Sequence, residues 1–370
     1  MIRMLCPDPE SFSKKGLEFA NQNVDLTAKP LTQQQFENLA PDYDVLLVRF
    51  NTKVGESILG INSKVKAILS PTTGLDHIDL KATKRHRVKV HHLQGEKRFL
   101  KGVSGTAELT IALMLSVLRK VPQSFEAVKS GSWEQGPYRG IEVAGKTLGV
   151  VGCGRLGSKV SRVGVALGMD VIAYDPYITR FPSGIKEKKS LAGLLSEADI
   201  VTVHLPLLPE TRHMIASREI TQMKDGVVIV NTSRGSIIAT QPLLDGLESG
   251  KIAAAALDVL EGEHEIESSG HPLIQYASAH KNLLITPHIG GATFESVEKT
   301  DLLILNNYFK WLKYGFCRVS DIGSSHIRRG RMTRQDLLSI AKEKDGKFPW
   351  TYLGYPIQDV LDRIEMSLDE

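Results

Sequence analysis

The chain has 370 residues, of which 42% are hydrophobic and 24% are charged, and its formal net charge is +4. This length predicts about two domains, and so small a charge gives no reason to expect a nucleic-acid partner. Cys6, Cys153 and Cys317 are odd in number and far apart, which excludes a disulfide framework and a Cys-x-x-Cys metal site, so no metal is expected. The N-terminus lacks the apolar core of a signal peptide, and no apolar run reaches the roughly 18 residues of a membrane span. We therefore expect a cytoplasmic protein with no membrane partner.

Short apolar, β-branched runs alternate with helical patterns over most of the chain. Such alternation is typical of βαβ units, and runs that are apolar on both faces are typical of parallel strands covered by helices. The predicted strands are 45–49, 65–70, 88–92, 147–151, 171–175, 200–204, 227–231, 255–259 and 283–286. Helical spacing is clear over 107–119, 155–167 and 294–314. The patterns predict an α/β chain with two Rossmann-like domains built on parallel sheets.

The strand at 147–151 is followed by Gly152-Cys153-Gly154-Arg155-Leu156-Gly157, which opens a helix. In such a motif the first glycine permits a tight turn, the second lets the backbone approach a pyrophosphate, and the third lets helix and strand pack closely. The helix N-terminus presents free N–H groups and a positive dipole end to the phosphates. Asp175 ends the next strand at the expected distance of about 20 residues, where an acid accepts bonds from ribose hydroxyls and repels a 2′-phosphate. The pattern predicts NAD rather than NADP as the cofactor.

The cofactor domain is expected to be inserted into the substrate domain. Residues 1–100 and 289–316 form the predicted substrate-binding, flavodoxin-like domain, because the helix at 294–314 can cross back to it. Residues 101–288 form the predicted NAD-binding Rossmann domain. Residues 317–370 are predicted to form a helical C-terminal extension. One helix starts at Thr333, where Asp336 completes a capping-box pattern, and a last helix covers 357–368.

Three polar segments each follow a predicted strand, and they contribute Arg234, Asp258, Glu263 and His288. In open parallel sheets, ligands bind beyond the carboxyl ends of the strands, so these side chains are expected to converge on one crevice. Reduction of a ketone by hydride needs a proton donor at the carbonyl oxygen, and histidine suits that role. A carboxylate can orient the imidazole, and a guanidinium can hold a substrate carboxylate.

These motifs resemble those of the D-isomer-specific 2-hydroxyacid dehydrogenase family, which includes phosphoglycerate, glycerate and formate dehydrogenases. The resemblance covers about residues 40–315. It implies that Arg234 is catalytic, that His288 is the acid/base and that Glu263 pairs with it. It also implies an enzyme that transfers a hydride between NAD and C2 of a small 2-hydroxy or 2-oxo acid, and a homodimer formed through the cofactor domains.

The resemblance further implies a set of ligand contacts. Besides the glycine loop with Arg155 and Leu156, the implied cofactor contacts are Thr106, Asp175, His204, Pro206, Thr211, Thr232 and Asp258. Of these, His204 and Pro206 would lie beside the adenine, and Asp258 would bind the nicotinamide carboxamide. The implied substrate contacts are Arg49, Thr72, Thr73 and Gly74. The backbone N–H groups of the 72–74 loop would hold the substrate carboxylate. Phosphoglycerate dehydrogenases tend to carry an arginine just before this loop, where the sequence has Ser70, so 3-phosphoglycerate is in doubt as the substrate.

The tail from 326 to 349 resembles the C-terminal part of N-acetyl sugar amidotransferases. It lacks a nucleotide-binding loop, so it predicts no amidotransfer, although a sugar-derived acid becomes a conceivable substrate. Three other functions stay open: a non-catalytic NAD(H)-sensing corepressor on the same fold, an interaction protein that binds through the tail, and a dehydrogenase acting on a sugar nucleotide. The predicted carboxylate-binding loop argues against the last of these. A pure sensor has no need of Arg234, Glu263 and His288 together, so the sequence favours the enzyme.

Overall fold

The computed structural model of the protein describes residues 2–263, 270–314, 327, 333–344, 351–352 and 355–356. The chain divides into two compact units, unit 1 with Met1–Glu96 and Val297–Glu370, and unit 2 with Lys97–Ser296. The sequence placed these divisions at 100/101 and 288/289. The first lies earlier because the carbonyl groups of Leu100 and Val103 accept hydrogen bonds from Arg155, which ties this stretch to unit 2.

Unit 1 is built on a parallel sheet of five strands in the order β2-β1-β3-β4-β5. Its strands are β1 Arg3–Cys6, β2 Asp25–Ala28, β3 Val45–Leu47, β4 Ala67–Leu69 and β5 Lys89–His91. Its helices are α1 Lys14–Asn21, α2 Gln33–Leu39, α3 Glu56–Leu59 and α4 Leu80–Arg85. A buried apolar cluster around Phe36, Leu46 and Ile68 forms the core of this unit. The sequence had predicted β3, β4 and β5 and had missed β1 and β2.

Unit 2 is built on a parallel sheet of seven strands in the order β12-β11-β10-β9-β6-β7-β8. The strands are β6 Thr147–Val151, β7 Asp170–Tyr174, β8 Ile185–Glu187, β9 Ile200–Val203, β10 Val227–Asn231, β11 Ile252–Leu257 and β12 Leu283–Ile285. The chain winds outward from β6 to β8, returns to β9 on the other side of β6, and winds outward again. The strand order therefore reverses between β6 and β9, where a doubly wound sheet opens its ligand crevice.

Helices cover both faces of the unit 2 sheet, and a separate apolar cluster lies under each face. The helices are α5 Lys97–Leu100, α6 Gly105–Leu118, α7 Val121–Lys129, α8 Arg155–Ala166, α9 Leu191–Leu195, α10 Ser217–Gln222, α11 Thr240–Glu248 and α12 Pro272–Ala279. The stretch Lys97–Leu118 is long and apolar enough to span a membrane by composition alone. It comprises two helices, and Ala107, Leu113 and Met114 of α6 belong to the core, as in a buried helix of a globular domain.

Helix α13, Phe294–Tyr314, starts in unit 2 and continues into unit 1, with the bounds that the sequence predicted. Helix α14, Arg334–Lys344, follows Thr333, whose hydroxyl accepts a hydrogen bond from the N–H of Asp336 at 3.2 Å, so the predicted helix start is confirmed. Two short strands, β13 Thr351–Tyr352 and β14 Tyr355–Pro356, pair antiparallel. The helix predicted over 357–368 lies outside the described residues.

Candidate active site

The glycine loop after β6 has the geometry that its sequence predicts. Gly152 has a φ of +88°, and a Cβ there would lie 2.6 Å from the carbonyl oxygen of His204. A Cβ on Gly157 would lie 2.0 Å from the carbonyl oxygen of Gly152, so α8 packs against the turn only because this residue has no side chain. A Cβ on Gly154 would meet nothing within 4 Å. Gly154 precedes α8 without a side-chain cap, and the predicted phosphate contact of the first N–H groups of this helix stays a prediction.

Asp175 closes this loop from the end of β7. Its carboxylate accepts hydrogen bonds from the N–H groups of Cys153 at 3.0 Å and Tyr177 at 3.0 Å. A carboxylate has about four acceptor positions, so capacity remains for ribose hydroxyls. Arg155 donates from Nη1 to the carbonyl groups of Leu100 and Val103, while Leu156 packs against the core.

The predicted adenine side follows β9. The half-buried His204 has a buried Nε2 atom without a hydrogen-bond partner among the described residues, and burial lowers the pKa of the imidazole to about 4. Thr211 donates from its hydroxyl to the carbonyl of Pro206 at 2.7 Å and accepts from the N–H of Leu208 at 2.8 Å. Thr211 therefore shapes the loop that carries Pro206, and its contact with the cofactor stays a prediction.

A chain of hydroxyl groups links α6 to the turn after β10. The hydroxyl of Thr110 donates to the carbonyl of Thr106 at 2.7 Å, and the hydroxyls of Thr110 and Thr232 lie 2.7 Å apart. Thr232 is 6% exposed and Thr110 is fully buried. The sequence indicated Thr106 and Thr232 but not Thr110, because a threonine inside an apolar helix carries no signal of its own.

His288 and Glu263 form the central pair of the site. The Nδ1 atom of His288 lies 2.6 Å from Oε1 of Glu263, and both side chains are about four-fifths buried. His288 has a φ of +54°, in the left-handed region that few residues with a side chain adopt. The other carboxylate oxygen of Glu263 accepts from the N–H of Leu260 at 3.2 Å. A carboxylate on Nδ1 directs Nε2 of the ring toward a reacting atom, as a general acid/base requires.

Asp258 holds the segment that carries His288. Its side chain is 1% exposed and accepts bonds from the hydroxyl of Thr286 at 2.6 Å and from the N–H groups of Ile289 at 2.8 Å and Gly290 at 2.7 Å. Burial raises the pKa of this carboxyl group, against the lowering by its hydrogen bonds. Asp258 therefore stabilises the turn at 286–290. Its carboxylate has at most one acceptor position left for the predicted bond to the nicotinamide carboxamide.

Arg234 lies in the turn after β10, the strand next to β11 in the sheet. Asn231 shapes this turn, since its side chain donates to the carbonyl of Arg234 at 2.9 Å and accepts from the N–H of Ser233 at 3.0 Å. Arg234 donates from Nη1 to the carbonyl of Ser233 at 2.7 Å. The residues predicted as catalytic therefore follow three neighbouring strands, β10, β11 and β12, at one edge of the unit 2 sheet.

The predicted carboxylate loop follows β4 in unit 1. All three carbonyl groups of residues 72–74 accept a hydrogen bond. The donors are the N–H of Leu93 to Thr72, Nε2 of Gln94 to Thr73, and the Thr72 hydroxyl to Gly74. The N–H groups of residues 72–74 have no acceptor among the described residues. A loop with bonded carbonyls and unbonded N–H groups suits an anion.

Arg49 lies two residues beyond β3 and is bound within unit 1. Its Nη2 atom is 2.5 Å from Oδ1 of the fully buried Asp301 and 3.1 Å from the hydroxyl of Thr300, and its guanidinium covers the ring of Phe12. The sequence predicted a substrate contact here. The ion pair with Asp301 could not have been foreseen, because the two residues are far apart in the chain.

The comparisons with known proteins identify the family of the chain. The family model "D-isomer specific 2-hydroxyacid dehydrogenase, NAD binding domain" matches residues 111–290. A second model, "LPS biosynthesis protein WbpG-like, C-terminal domain", matches residues 292–370, the region that includes the tail with its resemblance to a sugar-modifying protein.

Several relatives and solved structures match most of the chain. A hydroxypyruvate reductase of Thermotoga maritima is 34% identical over 82% of this chain and 96% of that protein. A D-3-phosphoglycerate dehydrogenase of Methanocaldococcus jannaschii is 35% identical over 85% of this chain but only 58% of that protein. The structure of a D-lactate dehydrogenase from Aquifex aeolicus, complexed with NAD and lactic acid, aligns with a TM-score of 0.71 and 28% identity over 84% of this chain and 95% of that one. The chain therefore belongs to the D-isomer-specific 2-hydroxyacid dehydrogenases, which are NAD-dependent oxidoreductases.

Proposed function

We propose that the protein reduces a small 2-oxo acid to the corresponding 2-hydroxy acid, with His288 as the proton donor. The single observation that carries the proposal is the bond of 2.6 Å between His288 and Glu263. Hydroxypyruvate is the substrate we favour, because the hydroxypyruvate reductase of Thermotoga maritima is matched over almost its whole length. Bound NADH supplies the hydride, and the protein supplies orientation and the proton.

We propose a role for each residue of the site. Glu263 fixes the imidazole of His288 so that Nε2 can donate to the oxygen that becomes the hydroxyl, and in oxidation the same atom accepts that proton. Asp258 keeps the backbone around His288 in place through the bonds to Ile289 and Gly290. Arg234 provides a cation for the substrate carboxylate. The N–H groups of the 72–74 loop, which belongs to unit 1, are also proposed to bind a substrate carboxylate.

The first test follows NADH absorbance with hydroxypyruvate, glyoxylate, 3-phosphohydroxypyruvate and sugar-derived 2-oxo acids. His288→Asn is the informative variant, since asparagine tolerates the left-handed backbone at this position. We expect kcat to fall about 10²- to 10⁴-fold in this variant, while NADH binding, measured by its fluorescence, is retained. NADH binding by the wild-type protein without turnover of any acid would instead support a sensor.

We also propose that two copies of the chain associate through unit 2. Five large apolar side chains on α7 and the residues that follow it are 46–84% exposed: Val121, Phe125, Val128, Trp133 and Ile141. An exposed apolar surface of this kind is typical of a protein interface. A cytoplasmic location is proposed as well, because Cys6 and Cys153 are free and buried, as is usual in a reducing compartment.

A further inference from the structure

The segment 258–263 carries Glu263, and its position depends on a residue two places earlier. Glu261 is half-buried, and its Oε1 atom lies 2.7 Å from Nε2 of His213 and 3.2 Å from Nη2 of Arg212. Its Oε2 atom accepts from the hydroxyl of Thr240 at 3.2 Å. The carboxylate of Glu261 is therefore bonded to the loop after β9 and to the first residue of α11.

The backbone of Glu261 is in contact with two further segments. The Nδ1 atom of His271 accepts from the N–H of Leu273 at 3.2 Å, so the N–H of the neutral ring is on Nε2 and donates to the carbonyl of Glu261 at 3.0 Å. On the other side, a Cβ on Gly235 would lie 2.3 Å from the Glu261 nitrogen. The turn after Arg234 and the start of α12 thus enclose this peptide.

The connection from Glu261 to the reacting group is short. Gly262, with a φ of +71°, is the single residue between Glu261 and Glu263. At the other end of the segment, the N–H of Asp258 bonds to the carbonyl of Asn231 at 2.9 Å. The N–H of Glu263 bonds to the carbonyl of Leu260 at 3.3 Å, and Oε2 of Glu263 accepts from the Leu260 N–H at 3.2 Å, so residues 260–263 form one turn. The anchored Glu261 within this turn sets where Glu263 lies.

We propose that Glu261, through its bonds to His213, Arg212, Thr240 and His271, is a positioning residue that fixes Glu263 against His288. The proposal rests on the proposed function of His288 and Glu263. The ion pairs of Glu261 are partly exposed, so their direct contribution to the free energy of unfolding is small. The main effect expected from them is the orientation of a proton donor, where a small displacement is costly in rate.

The test compares Glu261→Ala and Glu261→Gln in the full chain, with hydroxypyruvate and NADH. We expect Glu261→Ala to lower kcat on the order of tenfold, with KM and the Kd of NADH nearly unchanged, because proton donation and not binding is disturbed. The solvent deuterium isotope effect on kcat should rise. Glu261→Gln keeps one oxygen acceptor for His213 and turns an amide N–H donor toward the Thr240 hydroxyl, which can accept, so it should recover most of the rate.

Glu219→Ala is the matched control, because Glu219 caps α10 in the same unit and does not contact segment 258–263. The inference is overturned if Glu261→Ala keeps the wild-type kcat and isotope effect, or changes them no more than Glu219→Ala does. If Glu261→Ala does not fold, His213→Asn, which suits the φ of +51° at this position, must lower kcat and raise the isotope effect in the same way. A wild-type chain that turns over no 2-oxo acid contradicts the proposed function itself, which is a different result.

Discussion

Single residues decide whether the glycine loop can hold a cofactor, and two of its glycines have opposite reasons to be there. We expect Gly157→Ala to lower the free energy of unfolding by at least about 2 kcal/mol, because its Cβ would overlap the carbonyl of Gly152. We expect Gly154→Ala to leave the free energy of unfolding nearly unchanged and to weaken NADH binding, because its Cβ would enter the space that a pyrophosphate needs.

Urea denaturation and a fluorescence titration with NADH measure the two quantities. Each variant serves as the control for the other. Wild-type affinity for NADH in Gly154→Ala would mean that the open space at this glycine is not where the phosphates bind.

The sequence alone predicts which residues line the site better than it predicts what each one does. The order of motifs after the strands predicts that Arg234, Glu263 and His288 lie at one edge of the sheet, because parallel strands bring their carboxyl ends together there. Their conformations are decided by contacts between distant segments. Asp258 has two oxygens occupied by the turn at 286–290, and no local pattern announces this. Asn231 and Glu261 were missed for the same reason.

At the scale of elements, the contact between β5 and α13 creates a sensitivity to acid. His91 on β5 packs edge-on against Tyr308 at 5.4 Å between ring centroids and lies 5.9 Å from the ring of Trp311. Its Nε2 atom is buried without a partner among the described residues. Burial, with a smaller effect from Lys89, lowers the pKa of His91 from 6.5 to about 4.

The sign of the effect follows from this lowered pKa. In the unfolded chain His91 binds a proton below about pH 6.5, whereas in the folded chain it does so only below about pH 4. The contribution of His91 to stability is therefore full above this range and is lost as the pH falls through it. We expect about 2 kcal/mol to be lost between pH 7 and pH 5 from this group. Urea denaturation followed by tryptophan fluorescence at each pH measures the loss.

His91→Phe keeps an aromatic ring against Tyr308 and has no proton to bind, so we expect its stability to change much less over this pH range. His86→Gln, a change at a histidine whose ring is bonded to Glu56, is the control and should keep the acid loss. Equal pH dependence in wild type and His91→Phe would assign the loss to other groups.

The elements themselves were predicted unevenly, and burial explains the contrast between the central strands of unit 2 and two of the edge strands. The central strands β6, β9 and β10 are buried along their length and stand out as apolar runs. Strands β2 and β8 lie at sheet edges, and each exposes part of a short, mixed sequence. The sequence DLTA or IKE carries too little hydrophobic pattern to identify a strand, so these edges become visible only in the folded sheet.

At the scale of the whole molecule, the proposed homodimer can be separated from folding and catalysis. We expect the double variant Phe125→Glu/Trp133→Glu to sediment as a monomer where the wild type sediments as a dimer, because two charges would be buried in an apolar interface. Ile61→Glu is the matched control, since Ile61 is 99% exposed and lies in unit 1. A double variant that stays dimeric would exclude α7 as the interface.

The hydrogen bonds from Thr106 to Thr232 run in one direction, and this direction constrains any ligand atom that meets Thr232. A carbonyl can only accept, so the one proton of the Thr110 hydroxyl is committed to Thr106. The proton between Thr110 and Thr232 must then come from Thr232. Only lone pairs remain on the Thr232 oxygen. Any ligand atom that meets it has to bring its own hydrogen, so an amide nitrogen suits this position and a carbonyl or phosphate oxygen does not.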